Sequence, residues 1–196
     1  MLVPKNNHGK ETDIVQEVEL GSEQEAIKHF AVVRTRLLSP CLWHNLAGSF
    51  TAVFTLVDRK GHEKRPPAKK NDYLKIDIPG PGPKAGDSYD WVCIHDISEE
   101  VIATADESIG LQLMPCKHPF GFTDNTAHFF TEEASSTFII KREGNIIHAL
   151  YYGRNEEPNT DKVGPIDKVR NALVAAAAIA GVSEVQWTAL LKGLLS

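Results

Sequence analysis

The chain carries three cysteines and eight histidines, and several of them fall in close pairs. Cys41 and His44 are three apart, Cys93 and His95 two apart, and Cys116 and His118 two apart, while His128 and His148 add two further imidazoles. A zinc site needs four converging ligands, usually supplied as close pairs on tight turns. None of these pairs has the CxxC or HxxxH spacing of such a site, so neither metal nor cofactor is expected. On a strand, Cys93 and His95 share a face with Trp91 and Ile97, and that face reads as core. A thiol nucleophile is the other chemistry open to these residues. Cys116 sits in Met114-Pro115-Cys116-Lys117-His118, where Lys117 or His118 would lower its pKa and hold some thiolate. His128 or His148 would serve as base, with Asp90 or Asp96 to orient it. No spacing selects these partners, and neither a glycine elbow nor a helix start follows Cys116. Whether the chain is an enzyme therefore stays open.

Two segments mix aromatics with polar groups in the manner of a small-molecule pocket. One is His128 to Thr137 and the other Tyr151 to Glu156. The expected ligand contacts are Trp91, Phe129, Phe130, Tyr151, Tyr152 and Arg154, the last with a planar fork suited to a carboxylate or phosphate. The competing reading is sheet-edge packing, with Arg154 paired to Glu156 or Glu157. Gly80, Gly82 and Gly86 follow a strand as a phosphate cradle would, but Pro81 and Pro83 have no N–H to offer and the next segment reads as strand. That stretch, Pro79 to Asp87, is a stiff turn.

The elements that would position these residues can be read from periodicity. Asp13 to Leu20 alternates as a short strand. Ser22 and Glu25 form a capping box that opens a helix with Ile27, Phe30, Val33 and Leu37 on one face. Pro40 stops it, and Cys41 to Ala47 adds a further turn or two before Gly48. Phe50 to Val57 has apolar or β-branched residues on both faces and is expected to be covered on both. Tyr73 to Ile78, Tyr89 to Ile97 and the run through Ile109, Leu111 and Leu113 follow as strands. Thr137 to Arg142 and Ile146 to Tyr152 flank Glu143-Gly144-Asn145 as a hairpin. Pro165 starts a helix that Gly181 ends, and Ser183 with Gln186 caps another. In that last helix Trp187, Leu190, Leu191, Leu194 and Leu195 make an apolar stripe, which serves either the chain's own core or self-association.

The order is a short strand, one or two helices, about six strands and two helices. It predicts an α+β fold, an antiparallel sheet or partly closed barrel packed by an N-terminal helix and a C-terminal helical hairpin. Residues 1–12 read as a loose terminus and 13–196 as one domain, a size that buries a core without staples. The element order resembles the helix-grip folds, which hold hydrophobic ligands under a long C-terminal helix; the resemblance is one of element order. The formal charge of -5 lacks the basic footprint of a nucleic-acid binder. No apolar run reaches the length of a membrane span. Three widely spaced cysteines fit reduced thiols in the cytoplasm. The expected function is a non-enzymatic binding module for an apolar or amphipathic small ligand. The alternatives are a Cys/His-dependent enzyme or metal-binding protein, and a self-associating protein, such as a homo-oligomer assembled through the C-terminal helices.

Overall fold

The computed structural model describes residues 2–48, 52–78, 86–102, 106–122, 124–159 and 184–196. Strand β1 (Lys10–Glu19) leads into helix α1 (Glu23–Leu37), a 3-10 turn (Pro40–Leu42) and the short helix α2 (Trp43–Ala47). Six strands follow: β2 (Val53–Val57), β3 (Tyr73–Asp77), β4 (Asp90–Ile102), β5 (Asp106–Pro115), β6 (Ser135–Glu143) and β7 (Ile146–Glu156). Residues 184–195 form the last helix, α3. The strands make one antiparallel sheet in the order β1-β7-β6-β5-β4-β3-β2. The sheet is open, with β1 and β2 at its edges. That decides between the two expected forms: it is a sheet and not a partly closed barrel.

Local chemistry accounts for the boundaries. The Ser22 hydroxyl accepts from the Glu25 N–H at 3.3 Å, while the Glu25 carboxylate takes the Gly21 N–H at 3.1 Å, one residue before the expected cap. Glu23 and Glu25 in the first turn of α1, and Arg34 and Arg36 in its last, complement the helix dipole. Its buried face is Ala26, Phe30, Val33 and Leu37; Ile27, expected there, is exposed. The hairpin turns on Gly144, whose φ of 59° suits a residue without Cβ, and Glu143 pairs with Ile146.

The helices cover one face of the sheet. There Leu37, Trp43, Phe54, Phe138, Leu190 and Leu194 belong to one buried cluster. The stripe on α3 is thus spent inside the chain: Leu190, Leu191, Leu194 and Leu195 are buried and Trp187 packs against them. Of the two roles expected for the stripe, packing on the chain's own core is the one observed. Arg36 donates to the carbonyls of Leu194 and Ser196, and His29 bonds the Leu195 carbonyl, so α1 holds the end of α3. No helix among the described residues is long and apolar enough to cross a membrane.

The outer face has a smaller buried cluster of Val57, Trp91 and Ala127. The strand expected to be covered on both faces, β2, is an edge strand: Phe54 and Leu56 face the helices, Val57 joins the outer cluster and Val53 is exposed. Strand β4 also departs from simple alternation. Ile94 pairs with Leu113 and Asp96 with Gln112, leaving His95 as an extra residue. Such a bulge reverses which face later residues take. Ile97 therefore lies with Ile94 on the helix side, while Trp91 and Cys93 face outward and His95 is exposed. The shared core face expected for Trp91, Cys93, His95 and Ile97 does not form. Residues 10–12, read as terminus, begin β1, and Thr12 is buried. Residues 79–85, the helix expected between Pro165 and Gly181, and Ser183 of the second capping box lie outside the described residues.

Candidate functional site

An aromatic wall lines the helix-covered side. Trp43 meets Phe54 at 5.2 Å and Phe138 at 5.3 Å, and Phe138 meets Tyr151 at 5.1 Å and Trp187 at 5.2 Å between ring centroids. Trp187 stacks on Tyr151 at 5.4 Å and 26°. Of these five rings only that of Trp187 is not fully buried, so the wall reaches the surface beside α3.

The wall ends in a buried carboxyl. By strict alternation Glu156 would share the outer face with Tyr152 and Arg154. Lys10 pairs with Glu156 but Thr12 with Gly153, so β7 carries one residue too many, and Asn155 takes a φ of 53°. This bulge turns Glu156 back over Gly153, where a Cβ would lie 2.4 Å from its Oε1. The Thr12 hydroxyl donates to Glu156 Oε2 at 2.7 Å, and the Tyr151 hydroxyl to Oε1 at 3.1 Å. Ser136 Oγ lies 3.1 Å from the Tyr151 oxygen. Burial pushes the Glu156 carboxyl above its ordinary value, opposed by the Thr12 and Tyr151 bonds and Lys10 and aided by Glu184. Burial, then the Glu156 charge, raises the Tyr151 phenol well above its ordinary value. The Trp187 N–H is directed at the Tyr151 oxygen and opposes that rise, but it does not reach full hydrogen-bond geometry with any described residue. The arrangement is an apolar wall with a hydrogen-bonding head: a carboxyl biased toward its neutral form, a phenol and an unfilled donor.

Of the six residues expected to contact a ligand, only Tyr151 belongs to this wall. Trp91 lies in the outer cluster. Phe129 and Phe130 stack with His128 in the loop before β6. Arg154 lies over the Tyr152 ring at 5.2 Å and is held by Asp13, by Glu11 and by the Thr12 and Gly153 carbonyls. Its fork is satisfied by β1 rather than by Glu156 or Glu157. Glu156, Thr12, Ser136 and Trp187 are the residues the sequence reading did not assemble; the only signal for them was the polar run after Tyr151 and the stripe of α3.

The imidazole partners expected for Cys116 are engaged elsewhere. His118 lies against Trp91 and its Nδ1 accepts the Phe120 N–H at 3.1 Å. His128 Nδ1 accepts the Phe130 N–H at 3.0 Å. His148 sits between Glu17 and Glu143 near the hairpin, at the other end of the sheet from Cys116. Asp90 accepts the Phe129 N–H and Asp96 pairs with Lys70. Lys117 pairs with Asp124. Cys116 instead donates a hydrogen bond to Cys93, and with burial this raises its pKa, the reverse of the expected lowering. Among the described residues no three of His, Cys, Asp and Glu gather as a metal site.

No protein-family model matches the chain, and no curated protein matches its sequence. Solved structures are similar at low levels. The ginseng major latex-like protein 151 from Panax ginseng is 14% identical over 90% of this chain and 99% of its own, with a TM-score of 0.34. Ara h 8.0201 is 14% identical over 95% and 99%, with a TM-score of 0.35. Protein Ms6760 from Mycobacterium smegmatis is 15% identical over 96% and 97%, with a TM-score of 0.34. Likeness at this level assigns no ligand.

Proposed function

We propose that the protein is a binding module for an amphipathic small molecule, whose apolar body meets the aromatic wall at its Trp187 edge and whose polar head turns toward Glu156, Tyr151 and the Trp187 N–H. The observation that carries this reading is the Trp187 N–H, buried at the edge of the wall and without an acceptor among the described residues. An unmet buried donor costs about 1–3 kcal/mol, and a ligand acceptor would remove that cost. Trp187, the half-buried ring of the wall, would offer the apolar contact, backed by the buried Phe54 and Phe138 rings.

Two measurements test it. Native mass spectrometry of the purified protein, against a denatured run, is expected to show an excess mass that denaturation releases. Titration with anilinonaphthalene sulfonate is expected to quench tryptophan fluorescence with a saturable isotherm. Trp187→Phe keeps the ring and removes the donor; it should weaken that binding roughly fivefold, the worth of one hydrogen bond of about 1 kcal/mol. A bare mass together with no saturable binding would overturn the reading. Equal affinity in wild type and Trp187→Phe would remove the polar head from it.

A further inference from the structure

The N-terminal segment, expected to be loose, is held across the outer face of the sheet. At one end Gln112 of β5 donates to the Leu2 carbonyl at 2.8 Å, and the Leu2 side chain fills the space that a Cβ on Gly110 would take. At the other end Asn155 of β7 holds Asn6, Asn7 and His8 together. The Asn155 N–H donates to Asn6 Oδ1 at 2.7 Å, and Asn155 Oδ1 accepts the N–H of Asn7 at 2.8 Å and that of His8 at 3.4 Å. The Asn155 side-chain amide donates to the Glu133 carbonyl at 3.3 Å, and the Glu133 carboxylate lies 2.7 Å from His8 Nε2. Between the two anchors runs β6, whose outward Ser135 and Thr137 are buried. Their hydroxyls have no partner among the described residues, a cost of docking that release of the segment would lift.

Asn155 is also the residue on which the β7 bulge turns. Its φ of 53° lies in the left-handed region, which disfavours a residue with a Cβ and which asparagine tolerates when its side chain bonds locally. That turn carries Glu156 from the outer face to the Thr12 and Tyr151 hydroxyls. One residue therefore joins the segment outside the sheet to the carboxyl inside it.

We propose that residues 2–8 are a strap whose docking keeps Glu156 inside the binding site, with Asn155 as the positioning residue. While the strap is docked, its bonds offset the cost of the Asn155 backbone. On release those bonds are lost, Asn155 relaxes to the extended form and β7 alternates to its end. Glu156 then joins Tyr152 and Arg154 on the outer face. The head of the site keeps the Tyr151 hydroxyl and the Trp187 N–H and loses its carboxyl. The consequence for a ligand rests on the binding-module reading; the control of Glu156 by the strap does not.

The test follows the Glu156 side-chain carboxyl of the full chain by NMR titration without ligand, its signal assigned by its loss in Glu156→Gln. The wild type should titrate above the ordinary 4.5. Asn6→Ala removes the acceptor of the Asn155 N–H and should bring the midpoint back toward 4.5. Asn6→Asp keeps that acceptor oxygen and should restore the raised midpoint. Asn6 belongs to neither buried cluster, so both variants keep the fold. The charged and titratable groups about this carboxyl are Tyr151 on its own strand, Lys10 on β1 and Glu184 on α3, and neither substitution alters them. A strap that serves stability alone would lower the urea midpoint of Asn6→Ala and leave the titration in place, which would overturn the proposal. An Asn6→Asp variant that titrates like Asn6→Ala, or a wild type that already titrates at 4.5, would overturn it too. If the titration moves as expected while anilinonaphthalene sulfonate fails to bind the wild type, the strap stands and the binding reading falls.

Discussion

Glu156 has two hydroxyl donors and a carboxyl raised by burial, and this makes the stability of the fold depend on pH. Between the ordinary value of 4.5 and the raised folded value, the folded chain keeps a proton that the unfolded chain has released. Stability therefore falls as pH rises through that window. Lys10, whose charge opposes the shift, and Glu184, whose charge adds to it, are the other charges that bear on this carboxyl. In Glu156→Gln the group no longer titrates. Urea unfolding should find variant and wild type changing together below 4.5, with the wild type losing ground above it; parallel curves to neutrality would show that Glu156 is not the group responsible. Residue-scale chemistry was the least legible part of the sequence. Glu156 reaches the interior, and Ile97 leaves the face of Cys93, through single extra residues in β7 and β4. One inserted position reverses every side chain beyond it, and alternation alone contains no sign of where that happens.

At the scale of elements, α3 approaches α2 closely at Gly193. A Cβ there would lie 2.1 Å from the Leu46 carbonyl oxygen and 2.7 Å from its carbon, both backbone atoms with little room to move. Alanine would gain up to about 1 kcal/mol of helix propensity over glycine. The enforced shift of one helix against the other costs about 1–3 kcal/mol. The steric term wins, so Gly193→Ala should lower the urea midpoint with an unchanged slope, and a raised midpoint would show that the helices part freely. Elements with strong local signals were legible. Ser22 with Glu25, Pro40, and Gly144 between two alternating runs gave α1, its end and the β6–β7 hairpin to within a few residues. What each outward face would meet was not, since the loop that brings Ala127 over Trp91 has no periodicity to read.

Across the whole molecule, the first strand pairs with the last. Val15 lies opposite Leu150, and β1 has no other partner among the described strands. Lys10 also pairs with Glu184 of α3, and Arg36 and His29 hold its end. The α+β class followed from element order, but this closure joins segments too distant for local pattern to register. A fragment comprising residues 1–143 keeps six strands yet leaves β1 unpaired and β6 with a bare edge. It should show no cooperative urea transition by circular dichroism; a sigmoidal transition would mean that β2 to β6 with α1 fold without that closure.

The same pairing sets a schedule for the chain in the cell. The ribosome completes β1 well before β7, and at ordinary synthesis rates the interval from residue 19 to residue 146 is on the order of ten seconds. Throughout that time the nascent β1 has no sheet to join, and its Ile14 and Val18 have no core to enter. Until β7 emerges, a nascent chain built this way leaves the pairing edge of β1 open to holding chaperones and to proteases.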